Sequence, residues 1–213
     1  MRLQAFRIKN YRSVIDSDVV KLSELDNVSV FAGQNESGKS SLLRALYDYE
    51  RDEFISDSLP FSTESNPIQS VSCTYKIEVD DNLFKLLSEA VIEKYKLQIT
   101  DGENILDKDK IDKIKEFTLT RTKEGDKKSL EIDVDTFNLF RSAILDKPSQ
   151  VVAGESGQAT EGGEAVETAR EKYFVVADDG NAVVADILWA YTPKIFFSTT
   201  FVIYYRIELI SPP

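Results

Sequence analysis

The stretch Phe31-Ala32-Gly33-Gln34-Asn35-Glu36-Ser37-Gly38-Lys39-Ser40-Ser41, FAGQNESGKSS, decides how the chain is read. Its eight residues Gly33 to Ser40 satisfy the pattern G-x-x-x-x-G-K-S. The pattern alone is permissive, so its surroundings carry the weight. Val28-Ser29-Val30-Phe31-Ala32 is a short β-branched run suited to a sheet core, and it ends one residue before Gly33. Ser40 through Tyr49 then reads as a helix, with Leu42, Leu43, Ala45 and Leu46 on its apolar face. Strand, loop and helix in this order aim backbone amides and a helix N-terminus at an anion.

Each residue of the loop has a physical task. Gly33 and Gly38 allow dihedrals and a close phosphate approach that a side chain would obstruct. The nine consecutive residues Gly33, Gln34, Asn35, Glu36, Ser37, Gly38, Lys39, Ser40 and Ser41 are therefore the candidate cofactor-binding set. Amides from Asn35 to Ser40 line the nest, and Lys39 reaches the β- and γ-phosphates as the catalytic, phosphate-stabilising cation. The Ser40 hydroxyl is the candidate Mg2+ ligand, and Ser41 is placed to donate to the α-phosphate. The plainer alternative is a Gly/Ser helix cap beside a surface lysine. A cap needs one polar side chain, not two glycines at this separation followed by Lys-Ser.

Composition narrows the chemistry. The chain has 213 residues, a formal charge of -11, a single cysteine and no histidine. Without histidine there is no His-ligated zinc, no Ser-His-Asp or Cys-His catalysis and no imidazole acid–base step. Carboxylates, lysine, hydroxyls, amides or a hard cation must do the work. The acidic balance opposes broad attraction to nucleic acid. Arg2, Arg7, Lys9, Arg12 and Lys21 do cluster near the start, where a solvated face is the simpler reading. Cys73 falls on the apolar phase of a strand as a small buried hydrophobe. No signal-peptide core is visible, and the most apolar run, Ile195 to Tyr205, is too short to span a bilayer as a helix. A cytoplasmic protein with no membrane partner is expected.

Along the chain, Leu3 to Ile8 reads as an opening strand, Asn10 to Ser13 as a turn and Val14 to Val20 as a return strand. Asp26-Asn27 marks a turn and Asp57 to Asn66 a loop. Val71, Cys73, Tyr75, Ile77 and Val79 alternate as a strand. Asp80 or Asp81 caps a helix from Leu83 to about Lys96, with Leu83, Leu87, Ala90 and Val91 on one face. Phe117 to Arg121 and Leu130 to Val134 form a hairpin around Lys123-Glu124-Gly125-Asp126. Ser149 to Thr168 is a Gly/Glu-rich loop. Strand character resumes at Tyr173 to Ala177 and Lys194 to Phe197.

The run from Leu3 to Leu46 resembles the opening of ABC-type ATPase heads of the SMC/RecF/RecN group, most nearly the bacterial AAA-labelled and OLD-family relatives. Two features carry the resemblance: F-x-I-K-N-Y-R-S at Phe6 to Ser13, and G-x-N-x-x-G-K-S with Asn35 at its third position. Beyond about residue 60 the likeness is topological. It implies an α/β fold, a P-loop NTPase of ABC-head type, here an incomplete N-terminal lobe with a small antiparallel α+β insertion. The parts would be residues 1–60 for the P-loop strands and first helix, 61–148 for the insertion, 149–169 for the flexible loop and 170–213 for returning strands. It implies ATP and Mg2+ as cofactors, with Arg12 near the phosphates or adenosine unless it is a turn-side surface cation. It further implies a head-to-head homodimer of the full-length protein, with DNA as a possible partner.

Hydrolysis in such heads needs an acid holding Mg2+ through water and a glutamate polarising the attacking water. The candidates are Asp178 and Asp179 after Tyr173 to Ala177, with Glu155-Ser156-Gly157-Gln158 as a faint signature. Here the sequence departs from the family: the signature lacks a leucine and a glycine, aspartate replaces glutamate, and no switch histidine follows. Asp178-Asp179-Gly180-Asn181 also suits a hairpin turn between Phe174–Val176 and Ala182–Val184. Three functions follow from these readings. The leading one is the ATP-binding lobe of a Mg-dependent ATPase working in DNA repair, DNA maintenance or phage defence, cut before its signature and hydrolysing poorly alone. The others are a complete compact ATPase using Asp178 and Asp179, and a non-hydrolysing regulatory or scaffold protein.

Overall fold

The computed structural model of the chain describes residues 1–24, 28–32, 38–54, 67–95, 105–144, 180–197 and 202–206. Strand β1 (Arg2–Tyr11) lies inside the larger sheet, and it buries Leu3, Phe6, Ile8 and Tyr11. It is three residues longer at its far end than the expected Leu3 to Ile8. The return strand expected over Val14 to Val20 is two pieces, β2 (Val14–Asp16) and β3 (Val20–Lys21), both antiparallel to β1. Asp18 breaks it by adopting a left-handed φ of 52°. Ser17 fastens the break, because its N–H donates to the Ile8 carbonyl and its Oγ accepts from the Ile8 N–H, both at 3.0 Å.

The next strand, β4 (Val28–Val30), leads to helix α1 (Lys39–Arg51). Strand β5 (Gln69–Lys76) then pairs with the free side of β1, helix α2 (Asp81–Tyr95) and the short α3 (Lys108–Ile111) follow, and the hairpin β6 (Glu116–Glu124) and β7 (Lys127–Ile132) completes the sheet. Its order is β2-β1-β5-β6-β7, with β3 also on β1 and every pairing antiparallel. Period-two alternation turns Val71, Cys73 and Tyr75, Phe117 and Leu119, Leu130 and Ile132 into the core. Each such large side chain stabilises the fold by about 1.5–3 kcal/mol. The opposite face is ruled with hydroxyls that bond across strands: Thr74 with Thr118 at 2.9 Å, Thr120 to Ser72 at 2.9 Å and Thr122 with Ser129 at 2.6 Å.

After β7 come helix α4 (Val134–Ala143) and helix α5 (Gly180–Ala190), then β8 (Lys194–Phe197) and β9 (Val202–Arg206). A second sheet, of order β4-β9-β8, is antiparallel throughout the described residues. The fold is thus mixed α/β, with a central antiparallel sheet flanked by helices. Asp80 caps α2, its carboxylate accepting from the Leu83 N–H at 2.7 Å. Leu83, Leu87 and Val91 are buried along that helix, as their spacing predicts.

Two further expectations are corrected. Val134 does not continue the hairpin. Asp133 stops β7 by capping α4, accepting from the Thr136 N–H at 2.9 Å, and Val134 is its exposed first helical residue. Nor do Ala182 to Val184 form a strand returning from a turn at Asp178 to Asn181; they belong to α5. Val184, Ala185, Ile187 and Leu188 give that helix a buried face. Asn181 docks it on β7, its Oδ1 accepting from the Ile132 N–H at 2.8 Å and its Nδ2 donating to the Ile132 carbonyl at 2.9 Å. The turn at Asp26-Asn27, the loop Asp57 to Asn66, the Gly/Glu-rich segment, the signature-like Glu155 to Gln158 and Tyr173 to Ala177 lie outside the described residues.

The C-terminal end of α1 is pinned by cations, which suit the negative end of a helix. Asp52 closes the helix in a left-handed conformation, and Arg121 pairs with its carboxylate at 3.3 Å. Lys123 donates to the Phe54 carbonyl at 2.8 Å, and Lys194 of β8 pairs with Glu50 at 3.1 Å. The Arg121 guanidinium also lies 4.5 Å over Trp189 of α5. One cation therefore joins β6, α1 and α5.

Asn181→Ala removes both Ile132 bonds without a steric change, and is expected to cost about 1–2 kcal/mol in urea unfolding with an unaltered m-value. On the surface, Arg7 donates to Asp16 at 2.9 Å through Nε and at 2.5 Å through a terminal nitrogen. That hydrogen bond holds the Asp16 carboxyl at about 2, below its ordinary 3.8. The pair's stabilisation is thus full above 3.8 and fades as the pH falls toward about 2. In Arg7→Ala, carboxyl NMR should find Asp16 titrating back in the ordinary range, and salt should weaken the effect in the parent chain.

Candidate functional site

The site is built at the N-terminus of α1. Gly38 is the N-cap, with φ 86° and ψ 0°, a left-handed conformation that any side chain would strain. Its carbonyl accepts the Leu42 N–H at 3.0 Å, which starts the helix. Glycine brings no side-chain cap, and no acidic residue occupies the first turn. The positive end of the helix is thus left uncompensated by its own first-turn residues. Ser40 is exposed there, while Lys39 and Ser41 are half-buried. Gly33, Gln34, Asn35, Glu36 and Ser37 lie outside the described residues. What the structure places is the closing half of the cradle, Gly38 to Ser41. It sets the Lys39 ammonium and the Ser40 and Ser41 hydroxyls at the start of the helix.

A second element meets this end of the helix. Arg12-Ser13 is the two-residue loop between β1 and β2, and Ser13 Oγ lies 3.2 Å from Ser41 Oγ. A Cβ built on Gly38 would come 3.9 Å from the same Ser13 oxygen. Ser13 of the loop carrying Arg12 therefore lies beside Gly38. Arg12 itself is exposed, with its guanidinium 6.0 Å from the centre of the Tyr11 ring. The resemblance put Arg12 forward, and the fold brings its neighbour Ser13 beside Gly38 and Ser41.

Sequence reasoning missed what holds the two elements together. Tyr11 is fully buried and its O–H donates to the carboxylate of Asp48, which is also fully buried on α1. Arg44 Nε stands 3.0 Å from the other carboxylate oxygen, one turn earlier on the same helix. Burial, and then the bond to the carboxylate, push the Tyr11 phenol well above its ordinary range, so it remains a donor. The signal was present in the sequence: an acid on the stripe of Leu43, Leu46 and Tyr49, with an arginine four residues before it.

Asp178 and Asp179 lie outside the described residues; in the chain they immediately precede α5. Among the described residues no helix is long and apolar enough to cross a membrane.

A search of curated proteins finds no match to the chain. A family model described as an AAA ATPase domain matches residues 1–152. That span takes in the whole of the larger sheet, α1 and the glycine loop. The chain belongs to the AAA ATPase domain family, and is an ATP-binding/hydrolase domain of that superfamily.

Proposed function

We propose that this chain binds Mg-ATP as a lobe of an ABC-type head of the SMC/RecF/RecN kind. Gly33 to Ser41 would wrap the triphosphate, Lys39 would stabilise the β- and γ-phosphates, Ser40 would ligate Mg2+ and Arg12 would face the phosphates. One observation carries this reading: a left-handed Gly38 caps a helix whose first turn holds no acid, and Lys39 and Ser40 come next. Residues 1–60 would form the nucleotide lobe's core, 61–148 its α+β insertion and 170–213 its returning strands. Bound Mg2+ would supply charge neutralisation at the phosphates; the protein supplies position, donors and the ammonium.

In the whole protein this lobe would work as a head-to-head homodimer acting on DNA, in repair, maintenance or phage defence. Support for that comes from the resemblance at Phe6 to Ser13 together with the form of the loop at Asn35. Asp178 and Asp179 remain the candidates for the hydrolytic acids. A chain without a working signature would bind nucleotide, hydrolyse it poorly and stay monomeric. Steady-state turnover abolished by Asp179→Ala would instead favour a complete ATPase.

Calorimetry tests the central claim. Lys39→Ala should weaken Mg-ATP binding by about 10- to 100-fold, as expected for loss of a contact between charged groups. Equal heats for the parent chain and Lys39→Ala would overturn the proposal. In Ser40→Ala the gain in affinity on replacing EDTA with Mg2+ should vanish, while metal-free binding persists. For DNA, anisotropy with a duplex should fall steeply with salt.

A further inference from the structure

The loop between β1 and β2 is made of unfavourable backbone. Asn10 has φ 52° and Arg12 φ 50°, both left-handed, on either side of Tyr11. In a two-residue hairpin loop the first central position, here Arg12, favours glycine. Non-glycine residues persist in such conformations where the surroundings over-determine them, and they gather at functional sites. Three contacts do so here. Asn10 Nδ2 donates to the Ile68 carbonyl at 2.9 Å, the Ser13 and Ser41 hydroxyls meet at 3.2 Å, and Tyr11 bonds to Asp48. Two of the three anchors are on α1, three and ten residues beyond Gly38. A glycine would relieve the backbone but would remove the guanidinium.

We propose that Tyr11 and Asp48 are positioning residues that hold the Arg12 loop against the phosphate end of α1, and so set how strongly the site prefers a nucleoside triphosphate to a diphosphate. The inference rests on the reading above that the cradle takes Mg-ATP. Arg44 neutralises Asp48 from within the same helix, which leaves the second carboxylate oxygen for Tyr11. The anchor is thus a single hydrogen bond from a rigid ring to a buried, charge-compensated acceptor. It transmits the orientation of α1 to the loop. Lys39 would span the β- and γ-phosphates and the amides of Gly38 to Ser41 would grip the phosphates common to both ligands, whereas Arg12, carried on the other element, would add its contact to the terminal phosphate alone.

The test is calorimetric titration with Mg-ATP and Mg-ADP of four chains: parent, Arg12→Ala, Tyr11→Phe and the double variant. Tyr11→Phe keeps the ring and removes the O–H. It should lower the ATP/ADP affinity ratio by about tenfold, equivalent to about 1.4 kcal/mol. Arg12→Ala should do the same, and the double variant should lose no more than either alone. If Tyr11→Phe weakens both ligands equally, or lowers thermal stability with the ratio intact, the role is structural only and the proposal fails. Should Tyr11→Phe not fold, Asp48→Asn decides: it retains an acceptor for Tyr11, and must give a smaller loss of the ratio than Arg12→Ala. Parent chain that binds neither nucleotide overturns the Mg-ATP reading and this inference together. Parent chain that binds ATP and ADP equally overturns this inference alone.

Discussion

Among the described residues, a carboxylate with no exposed surface fixes how α1 sits on the sheet. Asp48 has to be both charge-compensated and hydrogen-bonded, because an ionised acid left alone in the interior costs several kcal/mol. Arg44 supplies the charge from one turn away, and Tyr11 supplies the donor from the end of β1. Only one rotation of α1 about its axis satisfies both. That same rotation buries Leu43, Leu46 and Tyr49 and leaves Ser40 facing outward. The polar requirement and the apolar stripe therefore select a single orientation. Gly38, at the head of the helix, inherits its position from it.

The two ends of α1 are treated differently. At its C-terminus, Arg121, Lys123, Lys128 and Lys194 come from three strands to meet Asp52, Glu50 and the last carbonyls. Tyr49 adds a hydroxyl bond to the Leu119 carbonyl at 3.3 Å and packs edge-on against Trp189. At the N-terminus the first turn holds no acid and the cap is a bare glycine. A helix clamped at its negative end, with no acid in its first turn, presents a fixed partial positive charge at its start.

Elements with an unambiguous period were legible in the sequence. The alternation expected from Val71 to Val79 is realised as a strand only through Lys76, while the turn chemistry around Gly125 and the stripe of α1 have full counterparts in the structure. The elements that escaped had weak or conflicting signals. Helix α3 is one turn, capped by Asp107, and too short to show a period. Helix α4 mixes valine, threonine and two phenylalanines, residues with no strong helical preference, and depends on the Asp133 cap. Helix α5 is apolar at nearly every position, so Ala182 to Val184 matched a strand as well as a helix. At the site, the loop motif was readable because local chain geometry dictates it. The bond from Tyr11 to Asp48 spans thirty-seven residues and depends on tertiary packing, which a linear pattern does not display.

The single thiol of the molecule carries a practical consequence. Cys73 stands on β5 with Phe6 beside it on one strand and Leu119 on the other, fully enclosed. Burial pushes its thiol far above the usual range, so the nucleophilic anion is suppressed while the core is closed. Alkylating reagents can modify it only when the central strands part. The rate of alkylation then clocks how often the innermost layer opens, with no engineered probe and no competing thiol elsewhere in the chain.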